Sequence, residues 1–99
     1  MAIQSIAENI FEILDLRSVN LQVQTQPTPI SIVPVYASIL VIQNNSSTLV
    51  NFGPLGALNL QLPANGGVFT ITMPPGTKID LSKLYLVATT SVIVTVMYA

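Results

Sequence analysis

Residues 58–73 read LNLQLPANGGVFTITM, two alternating runs joined by a turn. Leu58, Leu60 and Leu62 alternate with Asn59 and Gln61, and Phe69, Ile71 and Met73 alternate with Thr70 and Thr72. A period of two puts every second side chain on one side of an extended chain, so each run predicts a half-buried strand. Pro63-Ala64-Asn65-Gly66-Gly67 between them has turn composition. The pattern repeats upstream. Thr48–Phe52 reads as a strand ended by Gly53-Pro54, and Ser38–Gln43 as a short apolar strand closed by Asn44-Asn45-Ser46-Ser47. Val19, Leu21 and Val23 alternate with polar neighbours; Pro27 and Pro29 then interrupt the chain, and Pro34 predicts that Ile30–Val35 is an edge or irregular. Downstream, Pro74-Pro75-Gly76 stops one strand, and Leu84–Ala88 and Val92–Tyr98 pair around Thr89-Thr90-Ser91. Seven to eight short strands separated by such turns predict an all-β fold for residues 18–99. It is expected to be an antiparallel, jelly-roll-like β-sandwich.

Residues 1–17 have a different period. Ile3, Ile6, Ala7, Ile10, Phe11 and Leu14 recur at three- and four-residue spacing, which predicts an amphipathic α-helix with Glu8, Glu12 and Asp15 on its other side. Ser5 and Glu8 have the spacing of a capping box. Glu8 and Glu12 repel at i,i+4, and about three helical turns are marginal alone, so the stripe must dock on something. The helix is expected to be a docking and assembly element.

Charge is scarce. From Ser18 to Thr77 no side chain is charged, and the chain has no His, Cys or Trp. Three basic residues and a net charge of −1 argue against nucleic acid as a partner. No apolar run reaches the length of a membrane span, and the N-terminus does not read as a signal peptide, with Glu8 and Glu12 where an apolar stretch belongs. Ser and Thr are plentiful, but only lone Lys residues could activate them, so no catalytic site assembles and no enzyme is expected. Glu8, Glu12 and Asp15 supply too few oxygens for a hard cation and read as a solvated face. No metal or cofactor is assigned.

Ile39-Leu40-Val41-Ile42 and Val92-Ile93-Val94 are apolar at consecutive positions, so both faces of these strands call for burial. A two-layer domain buries only one face of each sheet. A neighbouring subunit or the helix is expected to cover the other, which makes Ile39, Val41, Val92 and Val94 candidate interface residues. Ile3, Ile6, Ile10, Phe11 and Leu14 of the helix join them. A homo-oligomer follows from this reading.

Other candidates resolve more simply. Tyr36, Phe52, Tyr85 and Tyr98 invite a glycan-stacking reading; Phe52 and Tyr85 fit a core better, only Tyr36 and Tyr98 look free to be surface groups, and core or subunit interface is the reading for all four. The loops Gly53-Pro54-Leu55-Gly56 and Asn65-Gly66-Gly67 open no helix and have no nearby base, so they are turns and not phosphate cradles. Asn44-Asn45-Ser46 and Asn45-Ser46-Ser47 are overlapping N-x-S sequons, expected in an exposed turn. Lys78 and Asp80 are expected to share a strand face as a weak surface pair.

From about residue 24 onward the order of motifs resembles a β-sandwich module of phage and virus virion proteins, of head-fibre or capsid-decoration type. The matching motifs are Leu40-Val41-Ile42-Gln43-Asn44-Asn45, Leu49-Val50-Asn51-Phe52-Gly53, the Leu62–Gly67 turn, Phe69–Met73, and Lys83-Leu84-Tyr85-Leu86-Val87-Ala88 before a Val-rich terminal strand. Where that module often has a basic residue before its apolar strand, this chain has Ala37-Ser38. The resemblance implies a structural virion protein located in the virion, partnered by its own copies and by other virion proteins. The helix lies outside it. A carbohydrate-binding module is the alternative that the Asn- and Gln-rich surface suggests.

Overall fold

The computed structural model describes residues 16–99. The expected helix, with Ile3, Ile6, Ile10, Phe11 and Leu14, lies outside the described residues. Arg17, placed in the helical segment by the sequence, is instead the first residue of a strand.

Ten strands follow in order: β1 Arg17–Val23, β2 Thr28–Pro29, β3 Tyr36–Ala37, β4 Ile39–Asn44, β5 Val50–Pro54, β6 Leu60–Leu62, β7 Gly67–Thr72, β8 Ile79–Asp80, β9 Leu84–Ala88 and β10 Val92–Tyr98. A single 3₁₀ turn, Leu81–Lys83, separates β8 from β9. The pairings are nested: β1 with β10, β2 with β9, β3 with β8, β4 with β7 and β5 with β6, all antiparallel. The chain is thus one long hairpin whose tip is β5–β6. Two further ladders, β10 with β4 and β5 with β9, fold that hairpin into two four-stranded sheets. Sheet A has the order β1-β10-β4-β7, sheet B the order β2-β9-β5-β6, and β3–β8 stands apart.

Both sheets feed one core. Val23, Leu40, Ile42, Val94 and Val96 of sheet A cluster with Val50, Phe52, Leu62, Leu86 and Ala88 of sheet B. Phe52 of β5 and Phe69 of β7 meet with ring centroids 4.7 Å apart and planes tilted by 57°, a favourable edge-to-face type of contact between the sheets. Leu81, 1 % exposed, plugs one end, held by its amide to the Val35 carbonyl at 2.8 Å.

The irregular stretches have local causes. Pro29 lies in the edge strand β2, where its missing donor costs nothing. The chain does not stop at Gly53: β5 runs on to Pro54, paired with Leu84. Gly53 allows this because its φ is 151° and a side chain there would strike the Ala57 carbonyl oxygen. The expected turn at Asn44-Asn45-Ser46-Ser47 begins one residue late, since Asn44 ends β4 and is fully buried.

Candidate assembly surface

Period two divides sheet A into a core face and an outer face. Register builds the outer face in rows: Ser18, Met97, Val41 and Thr70 lie side by side across the four strands, and Asn20, Thr95, Gln43 and Val68 form the next row. Ile39 extends the apolar part beside Val41, and Ile93, paired with Gln22, lies beyond the polar row. Ile39, Val41 and Met97 are half-buried by their neighbours, whereas Ile93 is 61 % exposed. The polar groups are amides and hydroxyls that bond one another across strands. The Gln22 Nε2 donates to Ser91 Oγ at 3.1 Å, and the Thr95 hydroxyl donates to Asn20 Oδ1 at 3.4 Å. No charged side chain among the described residues belongs to these rows.

Ile39 and Val41 occupy the outer face. Val92 and Val94 do not. Val94 is 1 % exposed and pairs with Leu21, Val96 pairs with Ile42, and Val92 packs against the same cluster. The apolar run Val92-Ile93-Val94 has one outward residue, and it is Ile93. Three consecutive apolar residues do not reveal which parity faces inward; the cross-strand register does. Ile93 and Met97 are therefore the surface residues that periodicity missed, and alternation counted back from the Val94–Val96 pair would have found them.

The aromatic candidates do not gather. Phe52 is in the core, Tyr85 is half-buried, and Tyr36 is 62 % exposed on the β3–β8 ladder. Tyr98 packs against the core opposite Leu40. The sequons separate as well: Asn45 is exposed, but Asn44 is buried with its amide fully engaged, so its sequon is closed to modification.

Lys78, Asp80 and Lys83 line one cleft of about 420 Å³ whose apolar walls are Pro54, Met73, Ile79 and Leu84. The expected Lys78–Asp80 pair gives way to a cap. Asp80 Oδ1 accepts from the Ser82 hydroxyl at 2.7 Å and the Ser82 amide at 3.0 Å. These bonds, helped by the Lys83 charge, hold the Asp80 carboxyl below its ordinary value. Asp80 keeps its negative charge, so the cleft carries two cations and one anion. A hollow of about 420 Å³ on sheet B is lined by Thr25, Leu49, Asn51, Val87 and Thr89, and the buried Asn51 Oδ1 has no hydrogen-bond partner.

Among the described residues no helix is long and apolar enough to cross a membrane. Compared with protein-family models, with curated proteins and with solved structures, the chain finds no match in any of the three.

Proposed function

We propose that this protein is a structural subunit of a virion, a small capsid or capsid-decoration protein that assembles with its own copies and with other virion proteins. In this reading sheets A and B face each other as a sandwich. With the β3–β8 ladder set aside, the orders β1-β10-β4-β7 and β2-β9-β5-β6 are the wiring of a jelly roll, an architecture that capsid domains use. The observation that carries the reading is the outer face of sheet A. An uncharged face with Ile39, Val41 and Met97 adjoining, and the exposed Ile93 beyond one row of amides and hydroxyls, gains most by meeting another apolar surface. Its amide and hydroxyl rim supplies hydrogen bonds to a like partner.

The test is the mass of the purified native chain by light scattering over a dilution series, with electron microscopy of the concentrated sample. A discrete assembly of many copies supports the reading, and a monomer at every concentration overturns it.

A second reading, a carbohydrate-binding module, is favoured by the hollow on sheet B, where Thr25, Thr89 and Asn51 place hydroxyl and amide groups beside the apolar Leu49 and Val87. Glycan-array binding that Asn51→Ala abolishes would favour it over assembly.

A further inference from the structure

Two turns of the described chain place an asparagine before a small residue: Asn65-Gly66 between β6 and β7, and Asn45-Ser46 between β4 and β5. At Asn65 the backbone calls for this pair. Its φ is 61° and that of Gly66 is 101°, left-handed conformations that Asn and Gly adopt most easily. The same pair is chemically labile. A following residue with little or no side chain leaves its own nitrogen free to approach the asparagine. That nitrogen bonds to Cγ, the Cγ–Nδ2 bond breaks, and ammonia leaves with the nitrogen's proton. Water then opens the cyclic imide at either carbonyl, giving Asp or isoaspartate. Asn20, Asn51 and Asn59 precede Leu, Phe and Leu, whose side chains crowd the approach.

Asn45, Asn65 and Gly66 are exposed, so water and base reach both turns. What the turns lack is a free nitrogen. The Gly66 amide donates to the Asn44 carbonyl oxygen at 2.7 Å, and the Ser46 amide donates to Asn44 Oδ1 at 3.1 Å. Both attacking nitrogens are therefore held by one residue, the first through its backbone and the second through its side chain. Asn44 is itself fully buried, with Nδ2 bonded to the Thr48 and Leu62 carbonyls, so it cannot swing away. The Asn65 amide bonds to the Ser46 carbonyl at 2.8 Å, which braces the two turns against each other. An amide held in this way must open before it can lose its proton and turn to Cγ. The reaction is slowed by the scarcity of the open form.

We propose that Asn65 and Asn45 are latent sites of spontaneous deamidation, and that Asn44 closes both while the protein is folded. This role is chemical, and it holds whether or not the chain assembles. Each conversion adds a negative charge to a chain whose net charge is −1. Isoaspartate at position 65 also lengthens the backbone of the turn that leads from sheet B to sheet A.

The experiment incubates the full chain at mildly alkaline pH, folded and in urea, beside folded Asn44→Ala and Asn44→Asp. Peptide mass spectrometry maps the converted sites, and ion-exchange chromatography follows the added charge. In urea the native chain is expected to react first at Asn65 and next at Asn45. Folded, it should react at least roughly tenfold more slowly at both. Asn44→Ala keeps the carbonyl that holds Gly66 but loses the oxygen that holds Ser46, so its folded form should speed up at Asn45 more than at Asn65. Asn44→Asp is destabilised too, yet its carboxylate still accepts from Ser46, and Asn45 should stay slower in it than in Asn44→Ala. That contrast separates the hydrogen bond from general loosening. Should the variants fail to fold, hydrogen exchange of the native chain carries the test: the Gly66 and Ser46 amides must be protected by the factors that slow Asn65 and Asn45. Equal rates at Asn65 in the folded and unfolded native chain overturn the proposal. So does Asn45 reacting no faster in folded Asn44→Ala than in the native chain, an unprotected amide at Gly66 or Ser46, or an unfolded chain that reacts first elsewhere.

Discussion

The side-chain amide of Asn44, at the end of β4 in sheet A, donates to the carbonyl oxygen of Leu62, at the end of β6 in sheet B, at 3.2 Å. The same Nδ2 reaches the Thr48 carbonyl at 2.8 Å, while Oδ1 accepts from the Ser46 amide and hydroxyl. The Asn44 carbonyl also accepts from the Gly66 amide at 2.7 Å. One fully buried residue thus joins the β4–β5 loop, the β6–β7 turn and both sheets.

Replacing Asn44 removes partners from buried carbonyl groups that cannot find others. We expect Asn44→Ala to cost about 3 kcal/mol, since each buried group left unsatisfied costs about 1–3 kcal/mol. Asn44→Asp should cost more, because a carboxylate can accept from Ser46 but cannot donate to Leu62 or Thr48. Urea unfolding of both variants measures this, and a loss below 1 kcal/mol for Asn44→Ala would show that the loops re-pair without it.

Gly66 and Gly67 serve the adjoining turn for different reasons. At Gly66 φ is 101° with open space around it, so Gly66→Ala pays only for the backbone, roughly 1–2 kcal/mol. At Gly67 an added Cβ would collide with the Pro63 carbonyl oxygen and ring, and backbone would have to move. Gly67→Ala is expected to be the more destabilising change, and thermal unfolding of the pair decides it. The reverse order would show that this turn shifts easily.

Neighbouring residues of β10 should behave oppositely. Ile93→Lys places a charge on the exposed outer face of sheet A and is expected to leave the fold intact while abolishing self-association. Val94→Lys puts a charge in the core and is expected to unfold the protein, at a cost above about 4 kcal/mol. Circular dichroism with light scattering separates the two, and an Ile93→Lys chain that assembles normally removes the outer face from the interface.

Acid should act on the body through Asp80. Its carboxyl is held below the ordinary value of 3.8, first by the Ser82 hydroxyl and then by the Ser82 amide. A depressed folded-state value means that the carboxylate stabilises the fold at neutrality, and that this contribution is lost as pH falls below 3.8 and through the folded value. The stability gap between the native chain and Asp80→Asn is therefore expected to be constant from neutrality to about pH 4 and to close in stronger acid. Thermal unfolding across that range is the measurement, and a gap that widens on acidification contradicts it.

Much of this architecture is legible in the sequence because alternation and turn residues are local signals. Leu84–Ala88 and Val92–Tyr98 are strands with those bounds, but they do not pair with each other as expected, since β9 joins sheet B and β10 sheet A; the runs around Ile39 and Phe69 differ from β4 and β7 by two residues or fewer at each end. The β3–β8 ladder is not legible, since two-residue strands such as Tyr36–Ala37 have no period and pair only through distant chain. In the sequence Asn44 reads as a turn residue because the composition around it is that of a turn. Its burial depends on the loop carbonyls that the fold brings around it. The outward role of Ile93 was hidden for a related reason: a continuous apolar run states that both faces are apolar, not which one faces the core. The cleft at Lys78 and Lys83 depends on Pro54 and Met73 arriving from other parts of the hairpin.

The nesting of the strand pairs also bears on the order in which the molecule is built. Val50 and Leu62 at the tip are close in sequence, so β5 and β6 close a short loop, whereas Arg17 and Tyr98 must bring together nearly the whole chain. Loop-closure entropy makes distant pairings slow unless inner ones have already shortened the path. We expect folding to zip from the tip toward the ends, with φ-values high in β5 and β6 and low in β1. β1 is therefore expected to be the last strand to dock, so an incompletely folded chain lacks the Ser18 and Asn20 edge of sheet A's outer face.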